Sequence, residues 1–279
     1  MDDLSCLEVL NLISLGISPF NVQQQVPNDL PEHGQFVDNQ RLKSQSYLKE
    51  INRWTECQEM ILSEKKTKAM IVNFTDNHQF HTRLQLKGQN VEVVEKMKIL
   101  GTIITNKISW DENCDYLIRK VNNRMQLLRK VWSFGSTPQE MVHLWKVYCR
   151  SILEQSCVVW GSSLTQEDRD NLERTQKSFA KLVLQEKYHD YTSALDVLGL
   201  ETLEKRRDKL MTRFAENCIK NGQLNNLFKL RKKEHDMELR NPEIYKVTKA
   251  RTERLYKSSI PYMQRLLNYN HREEQRSKE

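Results

Sequence analysis

Leu117, Val121, Met125, Leu128 and Trp132 recur at spacings of four, four, three and four, the interval at which side chains stack along one side of an α-helix. Arg119, Lys120, Arg124, Arg129 and Lys130 lie mostly off that stripe, so the segment reads as an amphipathic helix with one basic side. "GSTPQE" then breaks the chain, with Thr137 placed to cap and Pro138 at the first helical position of a second helix running to about Gln155. That helix carries Val142, Trp145, Cys149, Ile152 and Leu153 inward. Thr165 caps a third, where Glu167, Asp168 and Asp170 sit against the positive end of the helix dipole. A fourth strongly helical stretch follows Gly199 and stops at Asn221-Gly222.

The front of the chain is different. Residues 4–17 form an apolar run of strand or short-helix character, followed by a Pro-rich loop, and a helix is expected near residues 39–62 with a core-facing stripe of Leu42, Tyr47, Leu48, Ile51, Trp54 and Cys57 or Gln58. "KAMIVNF" has strand composition, and "TRLQLKGQNVEVVEKMKILGTIIT" alternates about Lys87-Gly88-Gln89 as a hairpin does. Two or three short strands therefore precede Trp110. The last 55 residues are patchier, and "NHREEQRSKE" reads as a frayed or disordered tail.

Charge is unevenly distributed: net −2 over residues 1–106, +3 over 107–187 and +8 over 201–279. A positive C-terminal end suits a polyanionic partner. No apolar stretch approaches the roughly 20 residues of a membrane span, and the acidic N-terminus does not resemble a signal peptide. An intracellular location, cytoplasmic or nuclear, with no membrane partner is expected. The six cysteines form no CxxC pair, which suggests reduced thiols acting mostly as core fillers.

Several chemistries lack their residues. There is no GxGxxG, no phosphate-binding GxxxxGK[ST] loop and no GxSxG. His78 and His81 have a metal-compatible spacing but no nearby third ligand, and read as surface polar groups. Asp2-Asp3 is more suggestive, because a two-metal phosphoryl-transfer site needs carboxylates crowded around ions about 4 Å apart.

Taken in order, "DD" with its apolar run, "LSEKKTKAM", "KILGTIIT" and the stretch from Trp110 to Lys130 resemble the reverse transcriptases of non-LTR (LINE-type) retrotransposons. In that family an aromatic-x-Asp-Asp box ends the catalytic core, an L-N-x-x-K-T-K-x-M segment follows, and a K-x-L-G primer-grip hairpin precedes a helical thumb. Here Met1 takes the variable position of the box, its aromatic residue is absent, and Ser63 replaces the usual Asn. "LGLETLEKRRDKLMTRF" and "ARTERLYKSSIPYMQRLLN" look like the segments following the thumb. The fold implied is α+β and mostly helical, with a small β-hairpin remnant of a polymerase palm over residues 1–106. A three-helix thumb over 107–187 and a basic helical extension over 188–279 complete it.

By resemblance, Asp2 and Asp3 would be catalytic and metal-binding, holding Mg²⁺, and Lys66 would stand near the departing pyrophosphate. Leu100 and Gly101 would lie in the primer grip. Arg119, Lys120, Arg124, Arg129 and Lys130 would face the duplex and contact phosphates of RNA or DNA without reading sequence. The site also needs a carboxylate from an earlier strand, so the expectation is a truncated polymerase, inactive and metal-free by itself, with weak nonspecific nucleic-acid binding. The alternatives are a helical protein-interaction module, or a fragment of an AlkB-type RNA-modification protein, which "RWTECQEMILSEKKTKAMIVNF" also resembles. The sequence contains no HxD for an iron(II) facial triad. Purified chain supplied with primer, template and Mg²⁺ should give no primer extension; measurable extension would overturn this expectation.

Overall fold

The structure is a computed structural model, and it describes residues 33–72, 74, 83–222, 224–230 and 244–276. It is mostly helical with small sheets, an α+β organisation. The chain divides into two compact units, one extending to Ser109 and the other starting at Trp110.

In the first unit, α1 (His33–Cys57) is followed, among the described residues, by six short strands: β1 (Lys68–Ala69), β2 (Gln85–Leu86), β3 (Gln89–Asn90), β4 (Glu92–Val93), β5 (Lys96–Ile99) and β6 (Thr102–Thr105). They form three separate pairs, β1 with β4 in parallel and β2 with β3 and β5 with β6 antiparallel. Both hairpins close through two residues of positive φ, Lys87-Gly88 (49° and 81°) and Leu100-Gly101 (47° and 89°), the pattern of a type I′ turn. The hairpin expected about Lys87-Gly88 is present. "KAMIVNF" yields only the two residues of β1 in place of a full strand, although Val72 is buried.

Helix α1 begins and ends earlier than its periodicity suggests. Glu59 takes φ 55° and the Met60 amide donates to the Thr55 carbonyl at 2.8 Å, a left-handed closure that stops the helix. Its expected core stripe is corrected as well: Leu48 is buried with Leu86 and Val91, while Leu42, Tyr47 and Trp54 are 67%, 46% and 58% exposed. Strand β2 of the small β2–β3 ribbon packs against the helix. There the Gln45 amide takes the place of a neighbouring strand, donating to and accepting from the Gln85 backbone, both at 2.8 Å.

The second unit is built of helices. Helix α2 (Asp111–Ser133) buries Cys114, Leu117, Val121, Met125 and Leu128. Helix α3 (Pro138–Leu144) opens on a complete capping box, with the Thr137 hydroxyl accepting from the Glu140 amide and the Glu140 carboxylate accepting from the Thr137 amide. It continues through a π-helical stretch, Trp145–Arg150, into α4 (Ser151–Glu154), and α5 (Cys157–Trp160) follows. The inward set Val142, Trp145, Cys149, Ile152 and Leu153 is buried as the spacing requires.

Helix α6 (Gln166–Leu184) starts on a second capping box, Thr165 with Asp168, and packs along α2. Helix α7 (Tyr191–Leu198) leads to α8 (Leu203–Lys220), which ends at Asn221 with Gly222 at φ 69°. Helix α8 packs on α5, α6 and α10.

The C-terminal region is more ordered than its composition suggests. After α9 (Glu253–Lys257), α10 (Ser259–Arg276) takes in most of the tail expected to fray. Met263 and Leu267 of α10 join Met211, Ala215 and Cys218 of α8, and Phe228, in one apolar cluster. That burial supplies the ordering free energy the polar tail lacks.

One polar network ties the unit together. Gln176, fully buried on α6, accepts from Trp145 Nε1 at 3.2 Å and donates to Tyr191 Oη at 3.0 Å and to the Glu201 carbonyl at 2.8 Å. Tyr191 donates to Glu173, which also accepts from the Leu203 amide that opens α8. Trp145 lies flat on Phe179, with ring centroids 4.7 Å apart. Near this network Arg207 is 3% exposed, and its Cδ runs 3.2 Å from where a Cβ on Gly161 would stand. Replacing Gln176 by Leu keeps the volume but orphans the Trp145 N–H and the Glu201 carbonyl. The expected loss is about 2–4 kcal/mol, read from the midpoint of urea unfolding.

Candidate nucleic-acid interface

The five basic residues assigned to α2 do not share one side of it. At about 100° per residue, Arg119 and Lys130, eleven positions apart, fall on the same outward line. Arg129 lies on one flank, and Lys120 and Arg124, one turn apart, lie on the other. Arg119, Arg124, Arg129 and Lys130 are exposed and Lys120 is half-buried.

Their surroundings differ accordingly. Arg124 Nη1 donates to the Tyr148 carbonyl at 2.6 Å, and its guanidinium lies 5.9 Å from the centre of the Tyr148 ring, so it also fastens α2 to the π-helical stretch. Lys120 Nζ stands 5.2 Å from the centre of the Tyr116 ring. Arg119 Nε donates to the Asp115 carbonyl at 3.3 Å. One flank of α2 thus sets Lys120 and Arg124 against the rings of Tyr116 and Tyr148, while on the outward line Arg119 and Lys130 follow Glu112 of the first turn. Cation–ring contacts of this kind are worth about 0.5–1 kcal/mol when exposed, and both ring faces and cations serve single-stranded nucleic acid.

Tyr148 did not emerge from the α2 periodicity because it lies on another helix. Tyr116 could have been found there, four residues before Lys120. No Asp or Glu occurs from Tyr116 to Gln139, so the local field along the helix beyond its first turn is positive.

In the first unit, Lys66 is exposed in the turn that follows α1, where its amide donates to the Ser63 carbonyl at 3.2 Å. Leu100 and Gly101 form the tip of the β5–β6 hairpin, with Leu100 89% exposed. Lys66 precedes β1 and so belongs to a different strand pair from Leu100 and Gly101. Asp2 and Asp3 lie outside the described residues, as do His78 and His81, and the Mg²⁺ expected at the aspartates has no described geometry. Among the described residues, no group of three His, Cys, Asp or Glu could hold a metal ion. No helix among them is long and apolar enough to cross a membrane.

No protein-family model matches the chain, and no curated protein or solved structure is significantly similar to it.

Cysteine offers no nucleophile in the helical unit. Cys114, Cys149, Cys157 and Cys218 are buried free thiols. Burial pushes Cys114 up from 9.0 to about 12, and Cys149 and Cys157 to about 11. Because the folded values lie above the unfolded value, the protonated thiols' contribution to stability is complete below about pH 9 and is lost as pH rises toward 11–12. With a thiol-reactive dye at pH 8, exposed Cys57 should label quickly in the native protein. These four should label only on unfolding, read by mass after proteolysis.

Proposed function

We propose that this chain is part of an RNA-directed DNA polymerase of the non-LTR retrotransposon kind. On this reading, its helical unit grips the nucleic-acid backbone without reading sequence and catalyses nothing alone. The ordered series of motifs from Asp2-Asp3 through "KILGTIIT" to the α2 sequence supports the family. The observation that carries the binding role is α2 itself. Leu117, Val121, Met125 and Leu128 of its apolar stripe are buried and Trp132 is half-buried, and Arg119, Arg129 and Lys130 remain exposed on a stretch free of carboxylates. Cations so displayed contact phosphates and release counterions, which gives affinity with little dependence on base identity.

The Leu100-Gly101 turn adds a second support. Its residues take positive φ in a tight hairpin, which presents backbone at the tip with no bulky Cβ at Gly101.

Fluorescence anisotropy with a labelled RNA or duplex tests the binding role. The full chain should bind with similar affinity across unrelated sequences, and log K should fall linearly with log salt. Neutralising Arg119, Arg129 and Lys130 to Gln should make that slope shallower by about 2–3, since each lost phosphate contact removes about 0.7–0.9. An unchanged slope would overturn the role given to α2, and retention by protein partners that survives high salt would favour an interaction module instead.

A further inference from the structure

A second cationic surface lies far along the chain from α2 and has a different construction. Residues 244–252 (IYKVTKART) run without helix between Ile244 and α9, and Leu230 pairs with Tyr245 in an antiparallel bridge. Short polar segments of this composition seldom hold one conformation by themselves. Here the backbone is fixed by two side-chain amides of α10, Gln264 and Asn268, one turn apart and only 3% and 4% exposed.

Asn268 Oδ1 accepts from the amides of Ile244 at 3.1 Å and Tyr245 at 2.9 Å, and its Nδ2 donates to the Tyr245 carbonyl at 3.0 Å. Gln264 Oε1 accepts from the Thr248 amide at 2.7 Å, and its Nε2 donates to the Leu227 carbonyl at 2.7 Å. The Lys246 amide also donates to the Lys229 carbonyl at 2.9 Å, which sets those two lysines on adjacent segments.

The backbone so held at residues 244–248 carries Lys246 and leads directly into Lys249 and Arg251, all exposed, with exposed Lys229 alongside. Neither residues 224–230 nor residues 244–252 contain Asp or Glu. Lys257, in α9, is by contrast paired with Glu253 at 2.6 Å. Lys246, Lys249 and Arg251 are spread over six residues that form no regular strand, with a bend at Arg251. One nucleic-acid strand carries its charges at short, regular intervals, so cations spread in this way can meet several phosphates of one backbone.

We propose that the segment from Lys246 to Arg251, with Lys229, is a preformed strip for the phosphate backbone of a nucleic-acid strand, separate from α2. This inference rests on the chain being a nucleic-acid binder but uses none of the α2 residues. Because Gln264 and Asn268 already hold the backbone, binding orders only side chains, which favours affinity from few contacts.

The test compares the full chain with the triple variant Lys246→Gln/Lys249→Gln/Arg251→Gln on a labelled single-stranded RNA over a range of salt. The expected result is a slope of log K against log salt shallower by about 2, with thermal unfolding unchanged because these side chains are exposed. An unchanged slope overturns the strip, whatever the α2 variant does. A loss here with an unaffected α2 variant leaves the strip standing and removes the α2 role. Failure of the parent chain to bind RNA overturns both. Binding of a poly-glutamate peptide as tight as that of RNA overturns the assignment to nucleic acid.

Discussion

Gln176 has no exposure to water, yet each polar end of its side chain is occupied by a group from a different part of the chain. A buried amide of this kind is costly if any partner fails, because an orphaned donor or acceptor loses its solvation with no return. The π-helical stretch, α6, α7 and the entry to α8 must therefore be in register together. Glu173 reinforces the same requirement one turn earlier, since it receives both the Tyr191 hydroxyl and the first amide of α8. Hydrophobic burial makes these helices associate, and the amide network selects which association is allowed.

Among its described residues, the front unit shows no such network. Two of its strand pairs are closed by local turns and the third joins β1 to β4 across more than twenty residues, with small contacts such as Gln45 against Gln85, and an apolar cluster joins Leu48 of α1 to Leu86 and Val91. Two-stranded ribbons are marginal alone in water. Tyr47 and Trp54 on α1 are exposed and stand outside that cluster.

Much of the helical unit was legible in the sequence because its signals are local. Thr137, Thr165 and the Asn221-Gly222 stop act through their own neighbours, and the α2 stripe is set by period alone. The π-helical stretch was not legible, since a spacing of four from Trp145 to Cys149 suits an α-turn and a wider one alike, and Trp145 meets its partners Phe179 and Gln176 far along the chain. The order of α10 was hidden for the same reason, its partners Met211 and Ala215 being about fifty residues away. Of the candidate interface, the cations were visible, but their division into an outward line and a flank bound to Tyr148 depended on a second helix. The strip at Lys246 was masked by a composition that reads as loop.

Gly161 shows how closely two distant positions can approach. A Cβ there would stand 2.6 Å from the Cys157 carbonyl oxygen and 3.2 Å from Arg207 Cδ. Burial draws the Arg207 guanidinium toward its neutral form, and the carboxylates of Glu173 and Glu204 hold it charged. The space a methyl group would occupy is taken first by the backbone of Cys157 and then by the stem of a buried cation, so shortening Arg207 would relieve only the longer of the two contacts. It would also remove a cation that the carboxylates of Glu173 and Glu204 face, although Glu204 keeps Arg169 at 3.0 Å. Position 161 is held to glycine by the chain four residues before it, and Arg207 only adds to that constraint.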